Sequence, residues 1–569
     1  MRRDLTALQG GEFDLVVIGG GIFGACAAWD AAQRGLSVAL IERSDFGAAT
    51  SANSYKVVHG GIRYLQHGDL ARVRASSAER RALLRMAPHL VRPLPIVVPT
   101  YGSGMRGRLA LRAGLALYDA VTPDRNRGIT DPDQQIPSAR MLTRSETVAL
   151  FPGLDTEGLT GSGMFADGQL QDPPRLVLAI VRSAAALGAI PANYVEATGL
   201  LRQGSKVVGV AARDVLSEAP FEIRARVVLN AAGPYAEAFL QASLGLPLKP
   251  PGTYSRDVCF VVPKPWVHPT HALAVQGRTR DPDAILSRGE RHLFVAPWRN
   301  CTLIGTWHRV HTGHPDQLEV TEEEVATFLD EVNGGYADLD LSLDDISMVN
   351  FGLVPFGQNP DAAAHLRYGH RSRVVDHRAM HGLDNLVSLI GVRFTTGRRE
   401  AERAVDLVLS KLGAAKPGAA YPRSRTMETP VVGGDIPDWQ AFLEGLAVDP
   451  SSAVGRDERL QLAQSYGTEA PAVLALVRPD EGAEPPAQRS ALLGARIRYA
   501  VQEEMAMNLA DIIFRRTDLG TARHPGRAVL ESCARHLGDA LGKPASRMET
   551  EIAEVEDHFL LRLASRSQP

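Results

Sequence analysis

The chain has 569 residues, more than the ~250–300 at which a single hydrophobic core stops growing, so two or more domains are expected. With 44% hydrophobic and 22% charged residues it has the composition of an ordinary globular protein, and a net charge of −3 argues against a nucleic-acid binder held mainly by phosphate neutralisation. Four separated cysteines, Cys26, Cys259, Cys301 and Cys533, make no CxxC pair; neither a disulfide framework nor a metal site is expected, and a reducing compartment fits.

The chain starts MRRDLTALQGGEFD, without the apolar run of a signal peptide, and no stretch reaches the ~18 charge-free apolar residues of a membrane span. A cytoplasmic protein is expected, with peripheral attachment on the inner face of the cell membrane left open. Next come a β run, FDLVVIG, a helical run, ACAAWDAAQRG, and a second β run, SVALIE. That is a βαβ unit and implies a parallel sheet. Gly19, Gly21 and Gly24 form GxGxxG between the first strand and the helix, with Ile22 and Phe23 inside the motif. The spacing allows a tight turn, close approach of backbone to a pyrophosphate, and close packing of helix on strand. Free N–H groups at the helix N-terminus then face the phosphate charge. Glu42 closes the second strand 18 residues after Gly24, where an acid accepts hydrogen bonds from ribose hydroxyls and disfavours a 2′-phosphate. The fingerprint implies a dinucleotide and does not separate FAD from NAD.

Farther along, the segment 109–121 follows Arg106 and Arg108 and carries Arg112. It reads either as a helix lying at a membrane interface or as a buried cap helix. Further βα signals stand at VVGVAARDV, RARVVLNAAGP and LVSLIGVRFTTGRREAERAVDLVL. The Gly/Pro/Ala-rich stretch GAAKPGAAYPRSR (413–425) opens a linker. From about residue 437 the periodicity is helical, in QAFLEGLA, ALLGARIRYAVQEEMAMNLADIIFRR and METEIAEVEDHFLLRL. Tyr499, Glu503 and Arg515–Arg516–Thr517 are expected there to pack internally with salt bridges.

The segment after Glu42 carries a DFGAATS run, K-x-x-HGG-x-RYL, an ER pair and MAPHL, and it resembles the FAD-dependent glycerol-3-phosphate dehydrogenase family. The likeness continues at NAAGPYAEAF, LFVAPW…TLIGT, IGVRFTTGRREAE and YAVQEEMAMNLADIIFRRTDLG, and so covers nearly the whole chain. It implies FAD and an α/β fold: a Rossmann-like FAD-binding domain (1–90, 150–250 and 350–412) with an inserted β-rich substrate or cap domain (91–149 and 251–349). A linker (413–436) and a C-terminal all-α domain (437–569) follow. The resemblance also implies the cofactor contacts. Arg43 stands beside Glu42, while Thr50, Ser51, Ser54 and Lys56 lie along the diphosphate and flavin. Gly60 and Gly61 lie against the ring, and Val195, Ala231 and Gly233 line its approach. Gly391, Phe394, Thr395 and Thr396 sit at a helix N-terminus aimed at the electron-rich end of the flavin. His59, besides touching the cofactor, is the expected base for the hydroxyl proton, its ordinary pKa near 6.5 suiting neutral pH. Arg63 and Arg393 complete the expected catalytic set by holding a substrate anion.

The substrate side departs from the family. Its Gly-Ser-His motif is absent, and YSRDVCFVVP puts Arg256–Asp257 near that place. The GVRPL arginine is Val354, the lysine of GGKLTT is Arg393 preceded by Val392, and GTTD reads Gly305-Thr306-Trp307-His308. Arg256, Arg373, His308 and His370 are candidates to rebuild an anion site. The expected reaction is oxidation of sn-glycerol 3-phosphate to dihydroxyacetone phosphate by hydride transfer to flavin N5, with electrons passed to quinone or another acceptor. The departures keep two alternatives: a dehydrogenase or oxidase of another small hydroxy or phosphorylated compound, and a flavin-binding protein without catalysis. A homodimer is left open.

Overall fold

A strand covered on both faces must be apolar on both, and the strand Glu12–Ile18 meets that demand with Leu15, Val16, Val17 and Ile18 all buried. It pairs in parallel with Val38–Ile41 on one side and Pro220–Asn230 on the other. Outward lie Ile190–Ala192 and Leu386–Ile390, again parallel, and then Arg373–Asp376, antiparallel. The computed structural model describes residues 1–104, 107–245, 253–265, 268–276, 292–311, 313–357, 372–415, 421–447, 454–478 and 491–562. Among these, the first sheet has eight strands, completed by the hairpin Val195–Gln203 and Lys206–Asp214. VVGVAARDV is thus a hairpin strand and not the start of a βα unit: Gly204, at φ +60°, supplies the two-residue reversal before it. The other two predicted units lead into the helices Ala236–Leu244 and Gly397–Ala415.

Alternate residues divide the first sheet's two faces. Leu15 and Val17 pack under the helices Ile22–Gln33, Pro173–Ala186 and Gly397–Ala415, while Val16 and Ile18 face the opposite core with Leu8 and Leu240. Ile22–Gln33 is buried almost all round, and its alanines (Ala25, Ala27, Ala28 and Ala31) keep both neighbouring helices close.

The second sheet has nine strands among the described residues. Its order is Met348–Gly357, Thr253–Val262, Cys301–His311, His292–Trp298, Ala272–Gln276, Val91–Tyr101, Leu159–Leu170 and Val57–Val58, with Arg140–Leu142 beside Leu159–Leu170. Val57–Val58 and Leu159–Leu170 come from segments the sequence reading places in the FAD-binding domain. They pair here because each continues a ladder with Val91–Tyr101 or its neighbour. The helix Glu322–Gly335 covers this sheet with Phe328, Leu329 and Val332.

The expected linker is packed where it is described: Val431 N–H donates to the Met86 carbonyl at 3.0 Å, and Thr426 is buried against Arg398. Beyond it the chain is helical, as expected. The run through YAVQEEMAMNLADIIFRR is not one helix, however. Ala491–Glu504 stops at Met505 (φ +53°), Leu509–Asp511 restarts, and a single π turn, Ile512–Arg516, finishes it. The break turns the Glu504 carbonyl to accept from Arg516 Nε and Nη2 at 3.1 and 2.7 Å. The Glu504 carboxylate, also buried, takes Arg175 Nη1 at 2.7 Å.

The helical domain meets the first domain at Asp45, three residues beyond Glu42. Asp45 Oδ2 accepts from Arg515 Nε and Arg516 Nη1, both at 2.6 Å. Its Oδ1 accepts from Arg516 Nη2 at 2.8 Å and Asn193 Nδ2 at 2.9 Å. Burial opposes ionisation of Asp45, and the two guanidiniums more than offset it, holding its carboxyl well below the usual carboxylate range. Arg516→Leu should therefore destabilise the fold by about 3–5 kcal/mol, because it strips a partner from a buried charge. Denaturant unfolding monitored by tryptophan fluorescence checks this, with part of the loss recovered when Asp45→Asn is added; an unchanged midpoint for Arg516→Leu sinks the argument.

Candidate active site

A cavity of about 800 Å3 is lined by residues of both sheets. Its floor begins at the glycine turn. Gly19 adopts φ +101°, and a Cβ there would stand 2.7 Å from the Ala231 carbonyl oxygen. A Cβ on Gly24 would stand 1.8 Å from the Gly19 carbonyl oxygen, so helix and strand approach as closely as the motif predicts. The N-terminus of Ile22–Gln33 opens on this space, with Ile22 N–H donating to Ser51 Oγ at 3.0 Å. Glu42 is held in place: Oε2 accepts from Gly20 N–H at 2.6 Å and Oε1 from Ser44 N–H at 3.0 Å. Glycine turn, helix N-terminus and strand-end acid share one wall, and that arrangement fits a bound dinucleotide.

Of the residues expected at the site, Gly19, Gly21, Ile22, Phe23, Glu42, Arg43, Thr50, Ser51, Ser54, His59, Val195, Ala231, Gly233, Gly391, Arg393, Phe394 and Thr395 line this cavity. Six others do not. Gly24 lies beneath the turn. Lys56 is buried with Nζ 4.9 Å from the Trp298 ring, donating to the Ser54 carbonyl at 3.4 Å. Gly60 N–H donates to Asp167 Oδ1 and Gly61 turns the chain at φ +82°, Thr396 hydrogen-bonds back to the Arg393 carbonyl at 3.3 Å, and Arg63 stands half-buried outside the lining. Thr395 and Thr396 belong to a short 3-10 turn, Phe394–Thr396, with the helix proper beginning at Gly397. Thr395 Oγ1 accepts from His59 N–H at 3.2 Å, so the two loops touch.

Two residues with no role assigned from the sequence organise this corner. They are the ER pair, Glu79–Arg80, adjacent on the helix Leu70–Met86. Arg80 Nη1 donates to Asp167 Oδ1 at 2.8 Å, to the Ala166 carbonyl at 2.7 Å and to Tyr118 Oη at 3.1 Å. Asp167 Oδ1 in turn accepts from Gly60 N–H at 2.6 Å. Glu79 grips Arg398, one residue into the Gly397–Ala415 helix, through Nε at 2.9 Å and Nη2 at 2.5 Å. The signal was visible as a charged pair inside a helical run; its partners are about 90 and 320 residues away, beyond any local pattern.

The candidates for a rebuilt anion site do not converge. Arg256 is committed to Glu324 at 2.5 Å and to the Glu319 carbonyl. Arg373 is exposed, 3.9 Å from Glu237. His308 is bound to Asp257, and His370 lies outside the described residues. Val354 lines the cavity as an apolar surface, and Arg393 stacks its guanidinium 5.1 Å from the Tyr64 ring centre.

Residues 14–391 match the family model described as FAD dependent oxidoreductase, and residues 424–548 match the C-terminal domain of alpha-glycerophosphate oxidase. The chain is 30% identical to a glycerol-3-phosphate dehydrogenase of Synechocystis, with 98% of each chain covered, and 34% identical to glycerol-3-phosphate dehydrogenase 1 of Mycobacterium bovis over 91% of this chain and 93% of that one. A solved glycerol-3-phosphate dehydrogenase from Bacillus halodurans, complexed with FAD, superposes with a TM-score of 0.76 at 25% identity, covering 99% of this chain and 97% of that one. The chain belongs to the FAD-dependent glycerol-3-phosphate dehydrogenase family. It is an FAD-dependent oxidoreductase, and the cavity is where its residues fit that cofactor.

His59 departs from the expected base near 6.5. Burial first, then the positive charges of Arg393, Arg63 and Arg80, push its pKa down to about 3. The ring is therefore neutral at physiological pH. The unfolded chain takes up a proton at this residue near 6.5 and the folded chain only near 3, so stability is lost as pH falls through that window. His89, lowered to about 3 by burial and by Arg175 and Arg92, acts in the same direction. Urea midpoints of the apoprotein should fall between pH 7 and pH 5, and His59→Gln should make that slope shallower; a slope unchanged by the substitution contradicts the assignment.

Proposed function

We propose that the chain oxidises sn-glycerol 3-phosphate to dihydroxyacetone phosphate and passes the electrons to a quinone or similar acceptor. The observation carrying this reading is that one cavity holds both the dinucleotide wall, Gly19 to Glu42, and a corner where the Arg393 cation stands with the neutral His59 ring. Bound FAD supplies the two-electron acceptor for hydride. The protein's own groups do the rest. Arg393, with Arg63 close enough to shift His59, supplies positive charge for a phosphate. Guanidinium suits that task because its planar fork matches phosphate oxygens. A dianionic group placed there offsets the cations that add to burial in holding His59 unprotonated, so the substrate's charge favours proton uptake by the imidazole that takes the hydroxyl proton. The Thr395–His59 contact fixes that backbone beside Phe394, and Arg80–Asp167 holds Gly60 behind it.

Val354 favours a second reading, in which the same chemistry serves another small hydroxy compound, because the wall where the family carries an arginine is apolar here. Anaerobic titration separates the two. Millimolar glycerol 3-phosphate should bleach the visible absorbance of the bound flavin, and Arg393→Met should raise KM on the order of tenfold to a hundredfold by removing a charge-assisted contact. Flavin that stays oxidised in the wild type ends the first reading; bleaching by a different hydroxy acid or polyol establishes the second.

The helix Arg108–Val121 supports a membrane-borne acceptor. It buries Leu111, Leu115 and Tyr118 against the cap and leaves Leu109 (80% exposed) and Leu117 (48%) outside, beside exposed Arg112. No helix of the described residues is long and apolar enough to cross a membrane. Vesicles of phosphatidylglycerol should co-sediment the wild type and not Leu109→Glu/Leu117→Glu, with flavin reduction equal in both; equal sedimentation removes the membrane from the proposal.

A further inference from the structure

Thr306, His308 and Asp257 form a chain of hydrogen bonds on the cavity wall. Their strands, Thr253–Val262 and Cys301–His311, run antiparallel with Asp257 opposite His308. The pairing then passes from Val258–Trp307 directly to Cys259–Gly305, which makes Thr306 the extra residue of a β-bulge. Bulges re-aim side chains and recur beside active sites. His308 Nδ1 lies 2.6 Å from Asp257 Oδ1, and His308 Nε2 lies 3.0 Å from Thr306 Oγ1. Ser255 Oγ donates to the same Asp257 oxygen at 2.5 Å and steadies the carboxylate.

The chemistry of these groups sets the direction of the chain. A carboxylate only accepts, so His308 Nδ1 carries a proton toward Asp257, and Nε2 shares the second hydrogen bond with the Thr306 hydroxyl. Whichever group donates, the Thr306 oxygen keeps a lone pair beyond that contact. What Thr306 presents to a ligand is acceptor capacity. Asp257 lines the same cavity and adds a second acceptor, while Val354 and Cys259 add apolar surface. This wall disfavours an anion and asks for an O–H donor. The cations of the cavity, Arg393 and Arg43, come from other segments.

We propose that Thr306, oriented by His308 and Asp257, is a specificity-determining acceptor for a second substrate hydroxyl, the one that is not oxidised. The proposal rests on the reading of the substrate as a small anionic polyol: the anion lies toward Arg393, and the terminal hydroxyl lies on Thr306. Thr306 touches the substrate, and His308 and Asp257 are positioning residues acting through it. Sites built to hydrogen-bond a substrate O–H discriminate against the analogue that lacks it, because the buried polar group is then left without a partner.

The test compares glycerol 3-phosphate with 2-hydroxypropyl phosphate, which lacks only the terminal hydroxyl, in anaerobic reduction of the holoenzyme's flavin. Wild type should favour glycerol 3-phosphate by about tenfold to a hundredfold in kcat/KM. Thr306→Val should collapse that preference to roughly threefold or less by losing rate with glycerol 3-phosphate alone. His308→Gln should reduce it, and Thr306→Ser should keep it. A merely structural role slows both substrates equally and leaves the ratio untouched; that outcome, or a wild type with no preference, overturns the proposal. If neither phosphate reduces wild-type flavin, the functional reading falls by itself, and the same variants are read on glycerate against lactate, a pair differing in the same hydroxyl. A collapsed ratio there upholds the role of Thr306, and an unchanged ratio, or reduction by neither, overturns it.

Discussion

Asp45 is a buried carboxylate whose acceptor positions are filled by Asn193 from one side and by Arg515 and Arg516 from the other. The residues just before it, Glu42 to Ser44, line the dinucleotide wall, and the residues just after it, 47 to 51, form the loop under the cavity. A charge in this position must be compensated, since an unpaired ion in a water-excluded site costs several kcal/mol. The compensation arrives from 470 residues downstream. The C-terminal helices are therefore part of the cofactor site's support. The kink at Met505, which turns the Glu504 carbonyl onto Arg516, brings the arginines into reach.

The same logic recurs on the other side of the cavity. Consecutive residues on one helix point roughly 100° apart, and Glu79 and Arg80 use that angle to serve two loops at once. Arg80 reaches Asp167 and so the His59–Gly60 backbone; Glu79 reaches Arg398 and so the turn at Phe394–Thr396. These two loops meet at the Thr395–His59 hydrogen bond. A rigid corner results, made of buried ion pairs that salt does not screen well. His59 feels the corner directly: burial first, and then the cations around it, hold the ring neutral.

Three of the four departures from the family lie together in space. Val354, Asp257, Thr306 and His308 belong to three neighbouring strands, Met348–Gly357, Thr253–Val262 and Cys301–His311. Where the family places an arginine and a histidine, this chain has an apolar residue and a hydrogen-bonded relay of threonine, histidine and aspartate. The change in one strand is matched by changes in the next, as it must be in a sheet where a charge without a partner faces its neighbours across about 5 Å. Arg256 illustrates the constraint. One residue from Asp257, it points to the opposite face and is absorbed by Glu324.

The sequence by itself determined the βαβ unit, the position of the glycine turn, the acid at Glu42 and the helical character of the last domain. All of these rest on interactions within about 30 residues, which periodicity and spacing record. It also contained the likeness that names the cofactor. Only the tertiary structure decided that VVGVAARDV is a hairpin strand, that Lys56 turns away from the cavity, and that Arg256 and Arg373 stand apart from any anion site. The same holds for the pairing of Asp45 with Arg516, of Glu79 with Arg398, and of Asp257 with His308. Each depends on a partner brought close by strand register or helix packing, and a buried charge is specified by where its partner lies in space, a quantity that no run of neighbouring residues encodes.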